Sequence, residues 1–520
     1  VQSEFASLTA TLAALSVRAS NLGRMLRITR VVMVCTLVAA ALGCTRSPEN
    51  AQPAVEDKAA LEFATQLREK VTLEAMTAHL GKLQDIADAN DGTRATGTPG
   101  YEASVDYLVE VLRGRGFDVA TPEFEVRVFQ HGDPDLTVGG AAVKTGVLKY
   151  SAGTPASGVS GPLVAVPTEE TPGCAPADYD GLPVKGAVVL VDRGACPFSE
   201  KQAIAAKLGA LAMVVADTTD DENLGATLGE NTAVAIPVVS ITKSDGQRLR
   251  AKPGQATLKL DATTSVITTR NVIAQTKTGS PENVVMVGGH LDSVEEGAGM
   301  NDNGTGVAAV LETAVQLGSE PEVANAVRFA FWGAEEVGII GSRKYVSSLD
   351  VEELKDIALY LNFDMIGSPN PGYFAHDGDQ STAPARDEGA PRIPEGTAGI
   401  ERTLVAYLES SGKPAEDAPF DNRSDYTWFT LAGIPAGGLF SGAEDDKSPQ
   451  QAELWGGTAN APFDPDYHKD TDTLDRISRE ALDINGGGVA YAVGFYATDL
   501  NGRNGIPARE DRTRHEIPDQ

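Results

Sequence analysis

Apolar positions recur along this chain with two different periods, and each change of period marks where helices give way to strands. Residues 61–89 carry apolar side chains at helical spacing until Asn90-Asp91-Gly92 breaks the pattern. Residues 101–113 repeat it, behind the turn Thr98-Pro99-Gly100 and ahead of Gly114 and Gly116, which are helix start and stop signals. Residues 117–129 alternate as a strand does. From about 139 to 261 the texture shifts to Val, Ala, Gly and Thr. Short apolar runs there, at 163–166, 187–191, 212–215 and 236–241, surround one helix at 199–209. Residues 265–274 return to the main sheet, and 284–287, 326–332 and 357–363 read as buried strands. Helical spacing resumes at 304–318 and at 479–499, where Gly486 to Gly488 weaken it. Residues 501–520 are polar and expected to fray. Strands alternating with helices predict an α/β fold with a largely parallel or mixed sheet.

Length divides this pattern into domains, since 520 residues suggest two or three. A leader and signal peptide occupies 1–44 and a linker 45–57. The main domain takes 58–138 and 265–505, interrupted by an insert over 139–264 and followed by a polar tail over 506–520. The formal net charge is -30, from 43 basic and 73 acidic residues. That argues against nucleic acid as a partner, because phosphate recognition needs clustered Lys and Arg. Residues 25–30 are basic and 31–42 apolar, as in a signal peptide, and the run is short for a bilayer crossing. Translation is expected to start at Met25. Ala41-Leu42-Gly43-Cys44 looks like a bacterial lipobox, in which Cys44 is acylated; the alternative is a plain signal peptide cut nearby. The chain is therefore expected to be exported to the periplasm or cell envelope, meeting the membrane only through a lipid anchor, or else secreted; a monomer is expected. Export permits a Cys174–Cys196 disulfide rather than two buried thiols. It would close a loop of about 22 residues, worth roughly 3 kcal/mol in the chain-entropy model.

Candidate chemistry gathers just past the strands, where open α/β sheets place it. The run 284–287 breaks at Gly288-Gly289 and delivers His290, Asp292 and, beyond a Gly-rich loop, Asp302. Glu335-Glu336 follow the strand at 326–332, Asp364 ends the one at 357–363, and Tyr467-His468 sit in a late loop. Mixed nitrogen and oxygen ligands suit catalytic zinc. Five such ligands are too many for one zinc that also holds water, but they suit two zincs sharing a carboxylate. Asp302, flanked by Asn301, Asn303 and Gly304, is the natural bridge. His290 and Asp364 then serve one metal, and His468 and Glu336 the other. Adjacent side chains diverge, which leaves Glu335 as general base. Asp292 is expected to orient the His290 imidazole through its carboxylate, and Tyr467 to donate to the oxyanion. The stretch 139–261 has no His and no acidic cluster of ligand spacing, so no chemistry is assigned there. His79, His131, His376 and His515 read as polar surface. Asp464, Asp466, Asp470 and Asp472 read as a solvated acidic loop or a calcium site.

Two resemblances bear on these residues. VKGAVVLVDRGACPFSEKQAIAAKLGALAMVVAD, followed by IPVVSITKSDGQRL, resembles the protease-associated domain, which implies a β-rich cover beside a peptidase site. HLDS, MNDNGTG, FWGAEEVGIIGS, LNFDMIG, NRSDYTWF with GIPAGGLFSGAE, and YHKDTDT together resemble the co-catalytic di-zinc aminopeptidases of metallopeptidase family twenty-eight. The likeness spans 98–473 once the insert is discounted. It implies an α/β/α sandwich around a mixed, mostly parallel eight-stranded sheet, two zinc ions, and release of the first residue from peptides with a free N-terminus. Its ligand pattern falls on His290, Asp302, Glu336, Asp364 and His468, its base on Glu335 and its oxyanion tyrosine on Tyr467. It also implies a cis peptide at Asp302–Asn303, and that Arg423 helps hold the substrate amine beside Glu335 and Asp364. One departure stands out: relatives flank the Tyr-His pair with cysteines, where this chain has Asp466 and Thr471. Hydrogen bonds or a cation must hold that loop instead. The alternatives are a carboxypeptidase or dipeptidase of the same family, a glutaminyl-cyclase-like transferase, and a non-catalytic binding protein. The full ligand set and the NRSDY segment oppose them.

Overall fold

The computed structural model describes residues 58–168, 172–220, 225–382, 393–500 and 505–519. Cys44, the leader and the linker lie outside the described residues. The core sheet has six strands in the order Asp118–Ala120, Val272–Gln275, Asn325–Trp332, Ser280–His290, Ile357–Asn362 and Ala436–Gly437. The first two junctions are antiparallel and the other three parallel. The central strand is buried from Val284 to His290, which is why it reads as an unbroken apolar run. Its side chains still alternate between two cores. Val285 and Val287 pack with the helices Lys58–Lys70, Leu73–Asp88, Gly306–Leu317 and Arg479–Thr498. Val284 and Met286 pack with Ile340–Ser347, Val351–Asp356 and Tyr426–Leu431.

The expectation of an eight-stranded core sheet is corrected to six. The ladder stops at Ala436–Gly437 because the chain turns away through Gly438, where a Cβ would lie 1.7 Å from the Asn362 carbonyl oxygen. Beyond that turn, Leu439–Phe440 joins Phe374–His376 and Glu416–Ala418 in a separate three-stranded sheet. The alternating run at 117–129 is likewise divided. Asp118–Ala120 enters the core sheet, while Glu123–His131 pairs with Ala262–Arg270 in an antiparallel ribbon. Through this ribbon the chain enters and leaves the insert.

An eight-stranded sheet does occur, but in the insert, between Asp135 and Lys259. Its centre is four parallel strands, Val159–Ala165, Val188–Asp192, Ala212–Ala216 and Val238–Ile241. The helices Phe198–Lys207 and Lys243–Ala251 accompany them, and Cys174 and Cys196 are joined in a disulfide.

Two further expectations change. The helix Arg479–Thr498 runs unbroken through glycines 486–488, which let it pack closely. A Cβ on Gly486 would lie 2.4 Å from Met76 Sδ, and one on Gly488 2.5 Å from Leu439 Cδ1. The polar tail does not fray over 505–519. Arg512 and Arg514 are buried and hydrogen-bond main-chain carbonyls at element ends. Arg512 Nη1 donates to Glu282 and Lys355. Arg514 donates to Leu354, Ile357 and Gly433. Polarity signalled exposure in the sequence, yet a guanidinium offers five donors and can be buried wherever carbonyls lack partners.

Candidate metal centre

His290 ends the central strand, so strand geometry alone brings its ring to the carboxyl edge of the sheet. Its Nδ1 lies 3.0 Å from the carbonyl of Asp292, which directs Nε2 into the site. Asp302 comes from the turn Met300–Thr305, whose Asp302–Asn303 peptide is cis. The flanking side chains tie this turn to the neighbouring loop. Asn303 Nδ2 donates to the Phe363 carbonyl at 2.9 Å, and Asn301 Oδ1 accepts from Gly367 N at 3.1 Å. Asp472 accepts from the main-chain N–H groups of Asn301 and Asp302, at 2.7 and 3.1 Å. Glu335 and Glu336 occupy the turn after Asn325–Trp332, and Asp364 follows Ile357–Asn362.

These groups converge on Asp302. Its Oδ1 lies 3.1 Å from His290 Nε2, which is also 3.3 Å from Asp364 Oδ1. Its Oδ2 lies 3.2 Å from His468 Nε2, which is also 3.2 Å from Glu336 Oε2. One carboxylate thus offers one oxygen to each of two ligand groups. Two ligands bound at roughly 2.0–2.1 Å in a tetrahedron stand about 3.3 Å apart, so these spacings fit ligands of a common cation. Glu336 Oε1 and Asp364 Oδ1 are buried without a hydrogen-bond partner, which leaves them open to a metal. The donor set of imidazole and carboxylate fits zinc. Glu335 stands slightly apart, with Oε2 4.0 Å from His290 Nε2.

The electrostatics describe a site built for positive charge. Burial, then the nearby Glu336, Asp425 and Asp364 carboxylates, push the Glu335 carboxyl well above its ordinary range. Burial and the Asp302 charge push Glu336 up to about 7. Burial would lower the His468 imidazole, but its bonds to Asp302 and Glu336 outweigh this and carry it up to about 10. Acids crowded against their own charge in a low dielectric are relieved by a cation among them.

Several side chains act differently from their sequence reading. Asp292 does not bond His290 through its carboxylate, which is 3.8 Å from Nδ1. That carboxylate accepts from the N–H groups of Glu335 and Glu336, at 3.1 and 3.2 Å, and from the Thr96 hydroxyl at 3.0 Å. It therefore positions the glutamate turn. Arg423 lies between the Tyr467 hydroxyl, at 3.1 Å, and the Glu444 carboxylate, at 2.9 Å. Tyr467 stacks on His468 with ring centres 3.8 Å apart. His376, read as surface, is buried in the pocket wall, and burial pulls it down to about 4. The acidic loop does not converge as calcium ligands would. Asp464 accepts from Asn301 and Asp466 N, Asp466 pairs with Arg476, and Asp472 holds the Asp302 turn. Hydrogen bonds and an ion pair thus hold this loop.

The sequence reading missed four residues. Ser424 donates to Asp364 Oδ2 at 2.6 Å, and buried Asp425 accepts from Ser342. Their adjacency within NRSDY was the available signal. Thr96 clamps the Asp292 carboxylate, and fully buried Arg94 donates to the carbonyls of Leu291, Ala298 and Gly299. Nothing local distinguishes Arg94 from a surface arginine. The whole site opens into a cavity of about 150 Å³, whose wall includes Met365, Ala418, Pro419 and Phe440.

Comparison with known proteins gives a consistent set of matches. Residues 271–493 match the model of peptidase family M28, and 159–249 that of the PA domain. The probable lipoprotein aminopeptidase LpqL of Mycobacterium tuberculosis is 63% identical over 493 residues, covering 94% of this chain and 98% of that protein. Among solved structures, the aminopeptidase from Aneurinibacillus sp. strain AM-1 matches with a TM-score of 0.65 at 28% identity, covering 84% of this chain and 96% of that one. BSAP, a zinc aminopeptidase from Bacillus subtilis, matches with a TM-score of 0.58 at 25% identity, covering 86% and 99%.

Proposed function

Because this chain belongs to peptidase family M28 and is a zinc-dependent metallo-aminopeptidase, we propose that two zinc ions share its site. Asp302 would be shared between them, His290 and Asp364 would hold one, and His468 and Glu336 would hold the other. The observation that carries this reading is the Asp302 carboxylate, with one oxygen toward each ligand group. Bound zinc supplies Lewis acidity toward the scissile carbonyl and makes water a stronger acid. Glu335 takes the proton from the attacking water and returns it to the leaving amine. Its main chain is fixed by Asp292, so the carboxylate keeps its place while it exchanges the proton. The Tyr467 hydroxyl donates to the developing oxyanion.

The free amine of the substrate is bound by Glu335 and Asp364, with Asp425 as a further buried acid behind them. A guanidinium repels an ammonium, so Arg423 serves the amine only indirectly, by fixing Tyr467. Met365, Ala418, Pro419 and Phe440 favour an apolar first residue, and His376, held neutral by burial, adds no charge to that wall. The insert is a cover joined through the ribbon, with borders near 132 and 261. No helix among the described residues is long and apolar enough to cross a membrane. Export with an acylated Cys44 is supported by the lipobox-like sequence and by the lipoprotein description of the mycobacterial relative.

The test compares leucyl p-nitroanilide with its N-acetylated form, with and without chelator. Turnover of the free form only, lost to chelator and restored by zinc, is expected. Cleavage of the blocked form would overturn the aminopeptidase assignment.

A further inference from the structure

We propose that Trp332, Tyr360 and Asn362, none of them in either ligand group, set how tightly the His290–Asp364 position binds zinc. They do so by aiming the Ser424 hydroxyl at one oxygen of Asp364. This rests on the two-zinc reading and deepens it, by naming the residues that position one of the ligands.

Four hydrogen bonds join end to end and lead to the site. Trp332 Nε1 donates to the Tyr360 hydroxyl at 2.9 Å, and that hydroxyl donates to Asn362 Oδ1 at 2.9 Å. Asn362 Nδ2 donates to Ser424 Oγ at 2.8 Å, and Ser424 Oγ donates to Asp364 Oδ2 at 2.6 Å. The direction of the series follows from its first member. An indole N–H can only donate, so the Tyr360 oxygen accepts from it and the phenol proton goes on to Asn362. The amide then faces Tyr360 with its oxygen and Ser424 with its nitrogen. Ser424 accepts from that nitrogen, which leaves its own proton for Asp364.

The series passes across three neighbouring strands, Asn325–Trp332, Ser280–His290 and Ile357–Asn362. Gly288, on the middle strand, makes room for it. A Cβ there would lie 3.1 Å from Trp332 Nε1 and 3.2 Å from the Tyr360 hydroxyl. Phe429 stacks on the Tyr360 ring with centres 3.8 Å apart, which fixes the hydroxyl in place. Trp332, Tyr360 and Asn362 are all completely buried. In such surroundings a hydrogen bond is strong and an unpaired polar group is costly.

The effect falls on Asp364. Its Oδ2 is taken by Ser424, while Oδ1 is buried without a partner, 3.3 Å from His290 Nε2. Oδ1 is therefore the oxygen left open to a metal, and the bond at Oδ2 keeps it turned that way. Glu336, in the other ligand group, is held differently. Its Oε2 lies 3.2 Å from His468 Nε2, and its Oε1 is buried with no hydrogen-bond partner. A hydroxyl thus aims the carboxylate of the first position and not that of the second.

Zinc titration of the metal-free full chain, in competition with a chelating dye, tests this. The wild type should bind in two steps. Tyr360→Phe and Ser424→Ala should each weaken one step by roughly 10- to 100-fold, as for loss of a group that orients a ligand, and leave the other step unchanged. The double variant should be no weaker than Ser424→Ala, because both changes act through one hydroxyl. In Asp364→Asn, which disables the first position, adding Tyr360→Phe should not alter the remaining step. Losses that add in the double variant, or equal weakening of both steps, overturn the inference and leave the two-zinc reading standing. A lower Tm of the metal-free Tyr360→Phe protein with both steps unchanged assigns the series to packing alone, and overturns it too. A wild type that binds a single zinc overturns the two-zinc reading and the inference with it.

Discussion

Asp302 reaches its place through its neighbours more than through its own side chain. Asp472 holds the N–H groups on either side of the Asn301 peptide unit, and the amides of Asn301 and Asn303 tie the turn to the residues around Asp364. Glu335 and Glu336 show the same economy, since one carboxylate, that of Asp292, fixes both main chains while their side chains diverge. That division yields a test at this scale. Glu335→Gln keeps shape and removes the proton acceptor, so it should retain as much zinc as the wild type by elemental analysis. Turnover of leucyl p-nitroanilide should fall by about 100- to 10,000-fold, the usual contribution of a general base. Substantial remaining turnover, or loss of zinc, would reverse the roles of the two glutamates. The candidate ligands His290, Asp302, Glu336 and Asp364 stood out because each follows an apolar run or sits in a Gly-rich turn, whereas His468 stood out only within the YHKDTDT block. His376 and Arg94 did not, because a histidine in a three-residue strand and an arginine in a loop have no periodicity to mark them.

Among the elements, the N-terminal segment proves to be part of the site's support rather than mere packing. Arg94 is buried completely and gives its donors to three carbonyls of the 291–299 loop, between His290 and Asp302. Removing the guanidinium takes a donor from each of them, and among the described residues only the Gly299 carbonyl keeps another, the Gly304 N–H at 3.0 Å. Arg94→Met should cost on the order of 3 kcal/mol, read as a lower denaturation midpoint, and should weaken zinc binding as the loop loosens. A variant as stable as the wild type would assign the loop's order to other contacts. The tail uses the same chemistry through Arg512 and Arg514. In both places a polar residue that looks exposed in sequence is buried, because its guanidinium supplies donors to a cluster of main-chain carbonyls.

At the scale of the molecule, the metal site links three strand ends and a distant loop, so zinc should act on the stability of the whole body. Without metal, buried acids repel one another around Asp302. Zinc at about 100 times its dissociation constant should stabilise the fold by roughly 2.7 kcal/mol. Calorimetry should therefore show a lower Tm after chelation and recovery with zinc. An unchanged Tm would mean that the ligands are not shared across these elements. Hydrophobic periodicity determined the order of helices and strands, the buried central strand, the insert as a separate unit and the residue types fit to hold zinc, because these depend on local spacing. Tertiary structure decided the rest. It set the core sheet at six strands, because the turn at Gly438 depends on the Asn362 carbonyl lying against it. It gave the Asp292 carboxylate to the main chain of the glutamates rather than to the His290 ring, and it brought the late loop carrying His468 to the strand ends. Each is a contact between residues that local spacing does not relate, and only packing can make it.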